Sequence, residues 1–321
     1  MNKIIFISFF LLGSLFSQAQ EGIPVYRDYL SDNLFLLHPS MAGASYCAKA
    51  RMTARTQWFG IEDAPNFQSL SFHTYLGDYG KVGLGGIIFN DQNGYHSQKG
   101  LSLAFAYHLD FGNGADLNKL SFGISTLFAQ NQLDETSFNA SNYDPVIAGI
   151  LLSENYFNVD FGFSYHVQQF SLNFTLKNAL LMNRSNYSGY ESHNLRNYVG
   201  SVSYYFGGGD FHLEPSFLIQ YKEYQQQLIV DHNLKAYYDL SMINQAYLGV
   251  SYRRDYSKAP YALSNISPFM GIRMRQFTFG YTYTYNLGER VFSNSGFHQI
   301  TLGYNFNCRR PVTRIKCPQL N

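Results

Sequence analysis

Charge is scarce in this sequence. Asp, Glu, Lys and Arg supply 14% of its 321 residues, well below the quarter usual in soluble domains. The net charge is only +1, so there is no electrostatic argument for a nucleic-acid partner. Long apolar runs are missing too. Beyond the first residues, no stretch approaches the roughly 18 uninterrupted apolar residues of a membrane-spanning helix. Catalytic signatures are absent: there is no Gly-x-Ser-x-Gly elbow, no His-Glu-x-x-His and no Walker sequence. The nine His are scattered, and His73 and His108 fall on lumen-facing positions of the strands described below. The loop 131–154 carries Asp134, Glu135, Asp144 and Glu154 without the ligand spacing of a calcium loop, and reads as a solvated loop. These absences predict a non-enzymatic protein with no cofactor and no metal site.

What the sequence has in abundance is aromatic rings, 27 Tyr and 28 Phe. They are arranged with a period of two. In Phe277-Thr-Phe279-Gly-Tyr281-Thr-Tyr283-Thr-Tyr285, rings alternate with Thr and Gly. A β-strand sends successive side chains to opposite faces, so one face is aromatic and the other small and polar. The run from His298 to Phe306 repeats the pattern, with Ile300, Leu302 and Tyr304 on one face and Gln299, Thr301 and Gly303 on the other. Rings facing lipid and polar residues facing a lumen are what a transmembrane β-barrel requires. A mean hydropathy of −0.21 agrees with strands that are half in lipid and half in water.

The start of the chain is an address. Lys3 and the apolar run Ile4–Leu15 precede Ser17-Gln18-Ala19, the layout of a secretory signal peptide cleaved after Ala19. No Cys follows the cleavage position, which argues against a lipoprotein. Residues 20–48 show no alternation and are expected to form a periplasmic segment. Residues 49–306 then divide into about fourteen antiparallel strands, bounded by Gly, Asn, Asp or Pro. Their connections alternate between short turns and longer loops, such as Val167–Gln168 against Asn178–Leu195. Short periplasmic turns opposite longer outer loops mark an outer-membrane barrel; a soluble sandwich has no reason to sort its loops. Both termini then lie in the periplasm, and 307–321 forms a basic periplasmic tail with Arg309, Arg310, Arg314 and Lys316. Cys47, Cys308 and Cys317 all fall on that oxidising side. A Cys308–Cys317 bridge would close a small basic knob and leave Cys47 unpaired, but spacing alone does not settle connectivity.

One quarter of the chain carries a family resemblance. Asn33-Leu-Phe-Leu-Leu-His38-Pro39-Ser-Met-Ala42-Gly43 is followed by Arg55-Thr-Gln57-Trp58-Phe-Gly60, then Ala64-Pro65 and Ser69-Leu-Ser-Phe-His73. This order resembles the PorP/SprF family of Bacteroidetes type IX secretion membrane proteins; His38 stands where the family often has Asn, and Ser40 departs from Ala. The resemblance implies an outer-membrane part in type IX secretion or gliding motility. The implied partners are a secreted substrate, such as an adhesin C-terminal domain, components of the secretion machinery, and outer-membrane lipid. Arg55, Gln57, Trp58, Gly60, Ala64 and Pro65 would shape a partner-binding first outer loop. Trp58, the only Trp, also suits an interfacial anchor, and Pro65 a plain turn. The alternative to a secretion role is a porin-like channel for small or hydrophobic solutes. A barrel lipid hydrolase would need a Ser/His pair on adjacent lipid-facing strands, which the sequence does not display.

Overall fold

The structure is a computed structural model. It describes residues 33–45, 47–57, 64–77, 80–112, 116–136, 149–181, 194–256, 264–287 and 296–308. Period-two alternation is visible in every long strand. In β2 (Asn66–Leu76), Phe67, Ser69, Ser71, His73 and Tyr75 are buried while Leu70, Phe72 and Leu76 are exposed. In β14 (Phe277–Leu287), Thr278, Gly280, Thr282 and Thr284 turn inward and Phe277, Phe279 and Tyr285 outward, as the ring-Thr repeat predicts.

The remaining strands are β1 (Ala48–Gln57), β3 (Val82–Asn93), β4 (His96–Asp110), β5 (Asn118–Asp134), β6 (Leu151–Val167), β7 (Phe170–Lys177), β8 (Asn197–Tyr204), β9 (Phe206–Gly208), β10 (Phe211–Lys222), β11 (Gln227–Ser241), β12 (Asn244–Asp255), β13 (Ser264–Met274) and β15 (Phe297–Phe306). β8 and β9 are two parts of one stave, interrupted at Tyr205, and both pair with β10. Each stave is antiparallel to its neighbours, and β15 returns to pair with β1, from Ala48↔Phe306 to Gln57↔Phe297. The result is a closed barrel of fourteen staves. Closure leaves no sheet edge, the condition for strands to cross lipid with their backbone groups paired.

The distribution of side chains is inverted relative to a soluble protein. Leu248 is 65% exposed and Ile88 59%, whereas Lys235 is 1% and Glu214 3% exposed. Apolar rows outside and charges inside are what lipid and a polar lumen select.

Each predicted strand is present, with bounds that shift by a few residues. The largest shifts are in β5 and β6, which run past the expected strand ends and stay paired to Asp134↔Leu151. The loop expected over 131–154 is correspondingly shorter.

Two expectations need correction. Residues 33–45 do not lie below the barrel: they are buried within it. Cys308 pairs with Cys47, not with Cys317. The reason is the closing seam. The register partners Ala48 and Phe306 bring the start of β1 and the end of β15 side by side, so cysteines just beyond them meet. Cys317 and most of the basic tail lie outside the described residues.

Candidate functional site in the lumen

Residues 33–45 form a plug made of two short 3-10 turns, Leu34–Leu36 and Pro39–Met41. Pro39 stands in the first turn of its element, where its fixed φ is favourable and its missing N–H costs nothing. Gly43 adopts φ +65°, a left-handed conformation open to Gly, and turns the chain toward Cys47 and β1. The apolar residues of this segment have no strand to join and must be buried another way. Leu34, Phe35, Leu36, Leu37, Met41, Ala42 and Ala44 form one cluster with Ile87, Ala104, Ala106, Leu117, Val199 and Leu218 of the wall.

Polar groups of the plug are satisfied by the wall. Asn33 Nδ2 donates to Ser71 Oγ at 2.8 Å. The His38 ring lies between Thr175 Oγ1 at 2.9 Å and Ser201 Oγ at 3.2 Å. Ser40 and Ser164 hydroxyls are 2.6 Å apart. The Gly43 N–H donates to His73 Nδ1 at 3.1 Å, and the Ala42 carbonyl accepts from His108 Nε2 at 2.9 Å. Two lysines bind free carbonyls along the segment: Lys177 Nζ reaches Leu36 O and Lys119 Nζ reaches Ala44 O, each at 3.3 Å. A buried segment without regular structure needs such partners, because an unpaired buried carbonyl is costly.

The wall makes room with small residues. A side chain at Gly83 would collide with the Ala42 carbonyl, at Gly123 with the Ser40 backbone, and at Gly85 with the Phe35 ring. At Gly162 it would stand 3.1 Å from Pro39 Cδ. These glycines belong to β3, β5 and β6, so the plug rests against the first half of the barrel.

The second half fills its own interior. Tyr205, Tyr237, Tyr247 and Phe269 form an aromatic cluster, and Lys235 Nζ lies 4.0 Å above the Tyr247 ring centroid. Tyr237 Oη donates to the Glu214 carboxylate. Arg253 clasps Asp231 with two bonds of 2.6 and 2.7 Å, the strong bidentate geometry. Between the plug and this half, a gap bordered by Asn33, Thr53, Tyr247, Phe269 and Gln299 has a volume of ≈ 10 Å³, room for about one water.

The predicted partner-binding residues meet at the other end of the first hairpin. Arg55 and Gln57 occupy the end of β1 away from the disulfide. The Arg55 guanidinium lies 4.1 Å over the Phe297 ring, and the Gln57 N–H donates to the Pro65 carbonyl at 3.0 Å. Ala64 and Pro65, both half-buried, lead into β2. Trp58 and Gly60 lie outside the described residues. Sequence reasoning did not identify the plug. A signal was available: inward Gly, Ala and Ser crowd β3 to β7, whereas β10 to β13 carry inward Glu, Lys, Tyr and Arg.

Among solved structures, the chain resembles the CymD monoaromatic hydrocarbon channel with a TM-score of 0.51 and 11% identity, over 90% of this chain and 95% of that one. The outer membrane protein Omp33 of Acinetobacter baumannii matches with a TM-score of 0.44 and 8% identity, over 82% and 100%. CdiB from Acinetobacter baumannii matches at 0.44 and 10%; the chain covers 81% of itself and 60% of CdiB. At these identities the likeness to CymD is one of barrel fold. No curated protein matches the sequence. The model of the type IX secretion system membrane protein family PorP/SprF matches residues 18–304. Nearly the whole barrel and its plug fall within that match, and this outer-membrane β-barrel therefore belongs to the PorP/SprF family of type IX secretion system membrane proteins.

Proposed function

We propose that the protein serves type IX secretion as a closed platform in the outer membrane. Its long-loop face binds a secreted surface protein, such as an adhesin C-terminal domain. Its short-turn face, with both termini in the periplasm, meets the secretion machinery. Arg55, Gln57, Trp58, Gly60, Ala64 and Pro65 contribute to the partner surface at the first outer loop. The role is one of binding, without catalysis.

The observation that carries this reading is the filled lumen. Residues 33–45 occupy one half of the interior and buried aromatic and charged side chains the other. A pore for small solutes needs a continuous water-filled path; a receptor or anchor does not. The filled interior thus favours binding over the porin-like alternative.

The test is an affinity pull-down of the tagged barrel from native outer membrane, with mass spectrometry of what co-purifies, beside planar-bilayer recording of the pure protein. Recovery of a large exported protein or of type IX components, with silent bilayers, is the expected result. A barrel that comes down alone and opens steadily in bilayers would overturn the reading.

A further inference from the structure

The outer wall carries a concave hollow of ≈ 1240 Å³ over β1 to β6. This exceeds the roughly 300–1,000 Å³ that takes a drug-sized ligand. Strand alternation turns Met52, Leu70, Ile88, Phe128 and Phe157 outward into it. The Phe128 and Phe157 rings lie 4.9 Å apart and form part of its floor.

Along the same outward rows, one step nearer the long-loop end, the chemistry changes. Directly above the apolar residues stand Gln68, Asn90, Lys99, Gln130 and Asn155, one on each of five successive strands. The next outward positions are Asn66, Gln92, Ser97, Gln132 and Ser153. These two tiers contain one cation and no carboxylate; Glu154, which borders the hollow, is turned to the lumen and buried. The far wall differs. There the outward rows of β10 and β14 stay apolar or aromatic to their ends, through Ile219 and Tyr221 on β10 and Tyr283, Tyr285 and Leu287 on β14, while β12 carries a lone outward cation, Arg254, without an amide shelf beside it.

We propose that this hollow binds a membrane lipid with a net-anionic phosphate headgroup, drawn from the leaflet on the long-loop side. Its acyl chains lie against Met52, Leu70, Ile88, Phe128 and Phe157. The Lys99 ammonium meets the phosphate, and the amide shelf hydrogen-bonds the esters and hydroxyls of the headgroup. The polarity of the hollow runs in the head-to-tail direction of a lipid, and its charge is complementary to a phosphate. This site does not depend on the role proposed in secretion.

The experiment uses the whole protein in bilayers of brominated phosphatidylglycerol or brominated phosphatidylcholine, in a Trp58→Phe background. Phe128→Trp places a reporter in the hollow, and Phe217→Trp places one on the exposed far wall. The expected result is quenching that favours the anionic lipid about fivefold at position 128, the size expected of one Lys at an anionic surface. That preference is absent at position 217 and is lost when Lys99→Gln is added. Equal quenching by both lipids at position 128, or the same preference at both positions, would overturn the site. So would weak quenching by either lipid at position 128 alone, which would mean that protein covers the hollow.

Discussion

The two halves of the lumen are filled by different means. From β2 to β8 many inward positions beside residues 33–45 are small, among them Ser71, Gly83, Gly85, Ala106, Ser121, Gly123 and Ser164, and the space there goes to that segment. From β10 to β13 long inward side chains, including Glu214, Asp231, Lys235, Tyr237, Tyr247 and Arg253, meet one another over inward Gly249, Ser251 and Gly271. Strands facing the plug act as a mould; strands across from it interlock as a core does. A mould can be emptied without breaking the wall, because its hydrogen bonds to the plug come from side chains while the sheet ladder is intact. In an interlocked half, the loss of one member removes contacts from several others.

The largest effect is expected from emptying the mould. Excising residues 33–45 should leave a barrel that still shifts on gels when heated and turns silent bilayers into steadily conducting ones. Continued silence would mean that the second half, or another segment, seals the lumen alone.

The interlocked half should respond in stability instead. Asp231→Ala removes the two charge-assisted hydrogen bonds that Arg253 makes to it and is expected to cost about 1.5–3 kcal/mol. Urea titration of the folded band would measure this, with bilayers staying silent. Steady openings in this variant would erase the distinction between the halves.

The smallest effect belongs to a single plug contact. Ser40→Ala removes a neutral hydrogen bond to Ser164 and should cost about 1 kcal/mol in the same titration. The plug should stay seated, because Asn33, His38, Gly43 and the two lysines still hold it. A loss as large as that of Asp231→Ala would show that the mould depends on this one bond.

Much of the molecule was legible in its residues. The ring-Thr repeat of β14 and the Leu-Ser-Leu-Ala-Phe-Ala-Tyr repeat of β4 declare their faces locally, since a side chain's direction in a strand depends only on its parity. Strand ends were less legible. β5 and β6 extend through Asn131, Gln132, Ser153 and Glu154, polar residues that alternation cannot distinguish from loop. Arg55, Gln57, Ala64 and Pro65 stood out as a motif, and the structure brings them to one end of the first hairpin.

Fold, family and the lipid-facing surface were thus determined by the sequence alone, because period-two alternation and a dense local motif need no knowledge of distant contacts. The plug and the disulfide were decided by tertiary structure. Leu34–Leu37 are apolar without a period, and only a cavity lined by Gly83, Gly85 and Gly123, some 50 to 90 residues away in the chain, gives them a place to be buried. Cys47 and Cys308 are 261 residues apart. They meet because the last strand closes on the first, a neighbourhood that exists only once the barrel is complete.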